Sequence, residues 1–209
     1  MSLGDAWRAL RGRGDFALRE VACVGEARTL LVADLVPRPN APWITLAGEQ
    51  PDSAATWALL SIARDGLLCN GFAYRIWPSM YPNGETPRRG SSQFRAVATA
   101  TRDRRFGLGL ELREGAGEAF VCECKCDVGA DGTGTCAAVT AALAEVGFAA
   151  GERAHAASAA TPLLPRRTTD QTLTFTTPQN AAWNDRIAMH RIAVSAALAY
   201  MERRRAERT

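Results

Sequence analysis

Two runs of alternating apolar residues, separated by a short glycine-bearing stretch, constrain this chain more than any other feature. Phe106, Leu108, Leu110 and Leu112 alternate with Gly107, Gly109 and Glu111. Phe120, Cys122, Cys124, Cys126 and Val128 alternate in the same way with Val121, Glu123 and Lys125. Period two puts each apolar set on one face of an extended strand. If the strands pair directly across a three-residue loop within Glu114–Glu118, Leu112 faces Phe120, Leu110 faces Cys122, Leu108 faces Cys124 and Phe106 faces Cys126. A two-residue loop would set Leu108 against Glu123 and scatter the apolar set. The spacing therefore predicts a three-residue hairpin, with Phe94–Thr101 as a third strand. A helix capped by Thr135 and carrying Val139, Leu143 and Val146 is expected to roof its apolar face.

The first third of the chain repeats this order. After a short helix over Leu3–Arg11, Phe16–Val24 and Arg28–Leu35 read as a hairpin about Gly25-Glu26-Ala27, followed by a short strand at Trp43–Leu46. Asp52 or Ser53 opens a helix that Gly66 closes, and Asn70–Trp77 is a further strand. The two blocks are either an internal duplication or two instances of a generic hairpin-plus-helix. Toward the C-terminus, Thr172–Thr176 is a strand, and Thr177-Pro178 starts the longest helix, striped by Trp183, Ile187, Val194, Leu198 and Met201.

The expected fold is α+β: antiparallel sheet in two βββα-like blocks with the long C-terminal helix packed on it. The boundaries are 1–77 for the first block with its N-terminal helix, and 78–91 for a loop rich in proline, glycine and arginine. The second block spans 92–148, an alanine-rich linker 149–169, and the strand and long helix 170–209. The blocks are expected to share one globular unit.

Composition narrows the class. The chain has 209 residues, 47% hydrophobic and 22% charged, which suits an ordinary globular core. Its net charge is +3, carried almost wholly by arginine, with Lys125 as the sole lysine. An arginine excess of this kind argues little for nucleic-acid binding. The opening residues lack the apolar run of a signal peptide, and no segment approaches a membrane span, so a cytoplasmic protein with reduced thiols is expected.

No constellation carries a catalytic signature. Cys122, Cys124 and Cys126 sit too far apart along a strand for a compact chelate and read as buried apolar residues. The Gly129, Gly132 and Gly134 loop matches no phosphate-binding motif, and Ala138 stands where a calcium loop needs its bidentate glutamate. His155 and His190, the only histidines, have no nucleophile motif beside them. No metal or cofactor is expected. Cys136, at the start of a helix, is the most activatable thiol provided it is exposed.

The residues that most suggest contact with a partner are Trp77, Tyr81, Arg88 and Arg89, aromatics and arginines in and beside the 78–91 loop. The plainer account is that Trp77 and Tyr81 tack that loop to the body. Together these features favour a non-enzymatic protein-binding module, of adaptor, chaperone or immunity type, holding another protein or a second copy of itself. Small helix-βββ-helix-ββ domains that act as bacterial secretion chaperones are similar in element order to the first part of the chain, although their acidity is absent here. Two alternatives stand beside it. One is a small-ligand binder or enzyme using a thiol or carboxylate, such as Cys136 or Asp131, in a pocket between sheet and helices. The other is an arginine-mediated nucleic-acid binder using Arg88, Arg89, Arg102, Arg104 and Arg105.

Overall fold

The computed structural model describes residues 3–25, 29–80, 91–126, 132–154, 163–164 and 169–208. Along the chain these form α1 (Leu3–Gly12), β1 (Phe16–Ala22), β2 (Thr29–Leu35), β3 (Trp43–Gly48), α2 (Ala54–Arg64), β4 (Ala73–Trp77) and α3 (Ser92–Ala100). They continue with β5 (Phe106–Gly115), β6 (Phe120–Cys126), α4 (Gly132–Glu145), β7 (Ala150–Ala154), β8 (Gln171–Pro178) and α5 (Trp183–Ala206).

All eight strands join one mixed sheet in the order β1-β2-β4-β3-β5-β8-β6-β7. The centre, β4-β3-β5-β8, is parallel throughout. The antiparallel pairs are β1 with β2, β2 with β4, and β6 with β8, while β7 lies parallel to β6 on the far edge. The expected α+β character holds as a mixed sheet with a C-terminal helix; a purely antiparallel sheet does not.

Three local expectations need correction. β5 and β6 are not a hairpin, because β8 lies between them. Leu112 pairs with Phe175, which pairs with Cys122, and Leu110 pairs with Leu173, which pairs with Cys124. The apolar sets do share one face, but through a strand some fifty residues further on. The segment read as a third strand at Phe94–Thr101 is α3, started by Ser91, whose hydroxyl accepts the Phe94 N–H at 3.2 Å. The stretch read as an alanine-rich linker contains β7 and two buried leucines, Leu163 and Leu164.

Helices cover both faces. Leu10, Leu59, Val139, Leu143, Val194 and Leu198 of α1, α2, α4 and α5 pack with Ile44, Leu46, Tyr74, Leu108, Leu110, Leu112 and Phe175 of the sheet. On the opposite face Ala96 and Val97 of α3 join Val32, Ala47, Trp77, Leu163 and Leu164 in a second, smaller cluster. Such two-sided cover explains the near-continuous burial of β4 and β8, as parallel central strands require. Among the described residues no helix is long and apolar enough to cross a membrane.

Candidate functional site

Parallel strands that share a direction end on the same edge. Here Gly48, Trp77, Gly115 and Pro178 close β3, β4, β5 and β8 on one side of the sheet. From β3 the chain leaves through α2 toward β4, on one side; from β5 it leaves toward β6, on the other. Neighbouring strands whose connections diverge open a crevice at their carboxyl ends, and ligands of open α/β sheets bind in such crevices. In this chain that crevice lies between Glu49 on β3's exit loop and Arg113-Glu114 at the end of β5.

The exit loop is held rigidly. Ser53 caps α2, its hydroxyl accepting the Thr56 N–H at 3.2 Å and donating to the Gln50 carbonyl at 2.7 Å. The Thr56 hydroxyl, with one hydrogen to give, lies within reach of both the Gln50 carbonyl at 2.6 Å and the Pro78 carbonyl. Gly48 permits this closeness, since a Cβ there would collide with the Pro78 carbonyl oxygen and lie 2.8 Å from Thr56 Oγ1.

Charged groups crowd the crevice in defined pairs. Glu114 accepts the Ala54 N–H of α2 at 2.6 Å and the Arg186 guanidinium of α5 at 2.8 Å, so one carboxylate joins a helix N-terminus to a second helix. Glu111, fully buried, accepts from Arg113 at 3.1 Å, from the Leu164 N–H at 3.0 Å and from Thr174 at 3.4 Å. Desolvation raises the pKa of Glu49, opposed by the nearby Arg113 charge and a backbone N–H from Glu114. Behind the crevice His190 is wholly buried on α5, its Nε2 3.2 Å from Thr177 Oγ1. Burial lowers its pKa to about 3, and the Arg186 charge pushes the same way, so the ring is neutral. Trp183, 39% exposed, flanks the Glu114–Arg186 pair, with the Arg186 guanidinium 5.2 Å from its ring centroid.

This site gathers none of the residues expected from the sequence. Trp77 has no exposed surface and belongs to the second core cluster, at the end of β4. Tyr81, Arg88 and Arg89 lie outside the described residues, as do Asp131 and His155. Cys136 is on α4 but buried at 3% exposure beside Cys122, whose thiol pKa is raised by its hydrogen bond with Cys136 and by burial. Cys23, Cys69, Cys122 and Cys136 form no disulfide, whereas Cys124 is disulfide-bonded, against the expectation of six reduced cysteines. The residues that sequence reasoning missed are Glu49, Arg113, Glu114 and Arg186. For Glu49, Arg113 and Glu114 the one sequence signal is a charged residue at the carboxyl end of β3 or β5, which becomes informative only once those strands are known to be parallel; Arg186, on α5, carries no such signal.

Comparison with protein-family models finds no match, and comparison with curated protein sequences finds none either. Solved structures do match. A candidate metallopeptidase from Shewanella baltica OS155 superposes with TM-score 0.74 at 11% identity over 95% of this chain and 91% of its own. Another from Shewanella amazonensis SB2B gives TM-score 0.73 at 13% identity, over 94% and 91%. A metallo-carboxypeptidase from Burkholderia cenocepacia gives TM-score 0.73 at 13% identity, over 95% of this chain and 68% of its own. What this chain shares with them is the fold. The expectation of a non-enzymatic protein-binding module is corrected on this finding: it rested on missing motifs, an aromatic and arginine loop and a long helix with an apolar belt, and the fold neighbours bear the names of metallopeptidases and a metallo-carboxypeptidase.

A catalytic zinc centre usually takes three protein ligands drawn from His, Cys, Asp and Glu. Among the described residues no three such side chains are grouped to hold a metal ion. The one described histidine, His190, is committed to Thr177 inside the core. The described residues of the crevice do not fit the metal that the neighbours' names imply.

Proposed function

We propose that the chain is a peptidase-like hydrolase whose substrate site is the crevice at the carboxyl ends of β3, β5 and β8, with Glu49 as its acid–base residue. The observation that carries this reading is Glu49 itself. It is a carboxylate of raised proton affinity at the switch point of the sheet, in the kind of setting where perturbed groups do chemistry. The names of the fold neighbours supply the reaction class, hydrolysis of a peptide-type bond.

In this reading the Glu49 carboxylate takes a proton from water as the oxygen adds to the substrate carbonyl carbon. The tetrahedral species then collapses, the C–N bond breaks, and the proton passes from Glu49 to the leaving amine. One water is consumed, and an acid and an amine are released. The Arg113 charge, whose field reaches Glu49, is the positive group placed to favour the oxyanion. Trp183 beside the Glu114–Arg186 pair offers an apolar wall to a substrate side chain.

The test is hydrolysis of a panel of short peptides and N-acyl amino acids, read by release of free amine. Turnover by the wild-type chain that falls roughly a hundredfold or more in Glu49→Gln is the expected result for loss of a general base. Turnover unchanged in that variant removes Glu49 from the chemistry.

A further inference from the structure

We infer that the charge centre of this crevice is a guanidinium, Arg113 seated on buried Glu111, and that the site takes no divalent metal, unlike what the names of its fold neighbours imply. The inference rests on the proposed reading only for the location of the site.

An accounting of the donors leads to it. Glu111 already serves Arg113, the Leu164 N–H and Thr174, and it is fully enclosed. Glu114 already serves the Ala54 N–H and Arg186. A metal ion recruiting either carboxylate would strand a buried guanidinium or strip the α2 N-terminus of its anion, and each loss is costly in a desolvated place. Among the described crevice carboxylates that leaves Glu49. His190 is enclosed in the core, and the free thiols Cys122 and Cys136 are buried between β6 and α4, on the far side of β8 from Glu49. One carboxylate does not hold zinc against water.

Arg113 does part of what a metal would do, supplying fixed positive charge beside Glu49, and it does so without exchange with solvent.

The test uses the intact wild-type chain and reads metal rather than turnover. Protein produced in zinc-supplemented medium and dialysed is analysed for metal by mass spectrometry, then melted in excess zinc chloride and in chelator. The expected result is far less than one metal ion per chain and the same melting temperature in both, since a tightly held ion would raise it by several degrees. One equivalent of zinc that survives dialysis in the wild type and is lost in Glu49→Gln overturns the inference. Zinc retained equally by both and released by alkylating the thiols lies on cysteines away from Glu49 and leaves the inference standing; zinc that survives alkylation overturns it. If no peptide is cleaved and no metal is bound, the peptidase-like reading falls and this one remains.

Discussion

The carboxylate of Glu114 lies 2.8 Å from the guanidinium of Arg186, and its other oxygen takes the Ala54 N–H at 2.6 Å. The pair ties the end of β5 to two helices at once. Both side chains are largely shielded, at 14% and 16% exposure, so the interaction is worth more than a surface ion pair. Glu114→Ala leaves a helix N-terminus without its anion and Arg186 without its partner, and is expected to cost about 2 to 4 kcal/mol in urea unfolding. In a double-mutant cycle, Arg186→Ala should cost less in the Glu114→Ala background than alone; additive losses would show that the pair is not coupled.

What could be read from the residues follows the range of the interactions that fix each element. The β1–β2 hairpin was legible because Gly25, at φ +87°, and the alternation of both strands lie within one local stretch. α2 was legible because Ser53 and Gly66, at φ +70°, mark its ends by local chemistry. β5 and β6 were misjudged for the opposite reason: a strand far downstream satisfies both of them. Pairing through β8 keeps the same residues on the same face, so the hydrophobic pattern cannot tell the two arrangements apart. Glu114, read as a turn residue, became a site residue for the same cause. Thr177, read as the cap of α5, instead stays in β8 and turns its hydroxyl to His190, and the helix starts after Ala182.

His190 should make the fold sensitive to mild acid. Its pKa is about 3 in the fold against 6.5 when unfolded, so below pH 6.5 the unfolded chain binds a proton that the folded chain refuses. Stability is complete above that pH and is lost as pH falls toward 3. The loss amounts to about 2 kcal/mol at pH 5. Urea midpoints measured from pH 7.5 to 5 should fall in the wild type and stay flatter in His190→Gln. Parallel slopes in the two proteins would assign the acid sensitivity to other groups.

Arg75 is a second buried cation, here with a structural duty. It grips Asp34 through two hydrogen bonds of 2.8 and 2.9 Å, donates to the Ala100 carbonyl at the end of α3, and packs 5.5 and 5.8 Å from the ring centroids of Trp43 and Phe106. Arg75→Met leaves Asp34 with only the more exposed Arg19 at 3.3 Å, strands an α3 carbonyl, and is expected to cost about 3 kcal/mol. Arg75→Lys keeps the charge but loses the planar fork, and should fall between the two. If the double variant Arg75→Met with Asp34→Leu is no more stable than Arg75→Met alone, the Asp34 carboxylate is not the source of the cost.

Two glycines on adjacent central strands separate close approach from mere backbone freedom. Gly48, at the end of β3, has the Pro78 carbonyl oxygen where a Cβ would go, with Leu59 Cδ1 3.3 Å away. Gly107, near the start of β5, has nothing within 4 Å of that position. Neither has a positive φ, so backbone strain does not enter. Gly48→Ala must push β3's end from β4's and move the loop that carries Glu49; about 1 to 3 kcal/mol of destabilisation is expected from overpacking. Gly107→Ala should be neutral or stabilise by about 0.5 kcal/mol, by restricting the unfolded chain. In the peptide assay Gly48→Ala should also lower turnover more than it lowers stability near room temperature, because the exit loop sets Glu49. Equal melting temperatures for the two variants would show that β3 and β4 do not close on each other at Gly48.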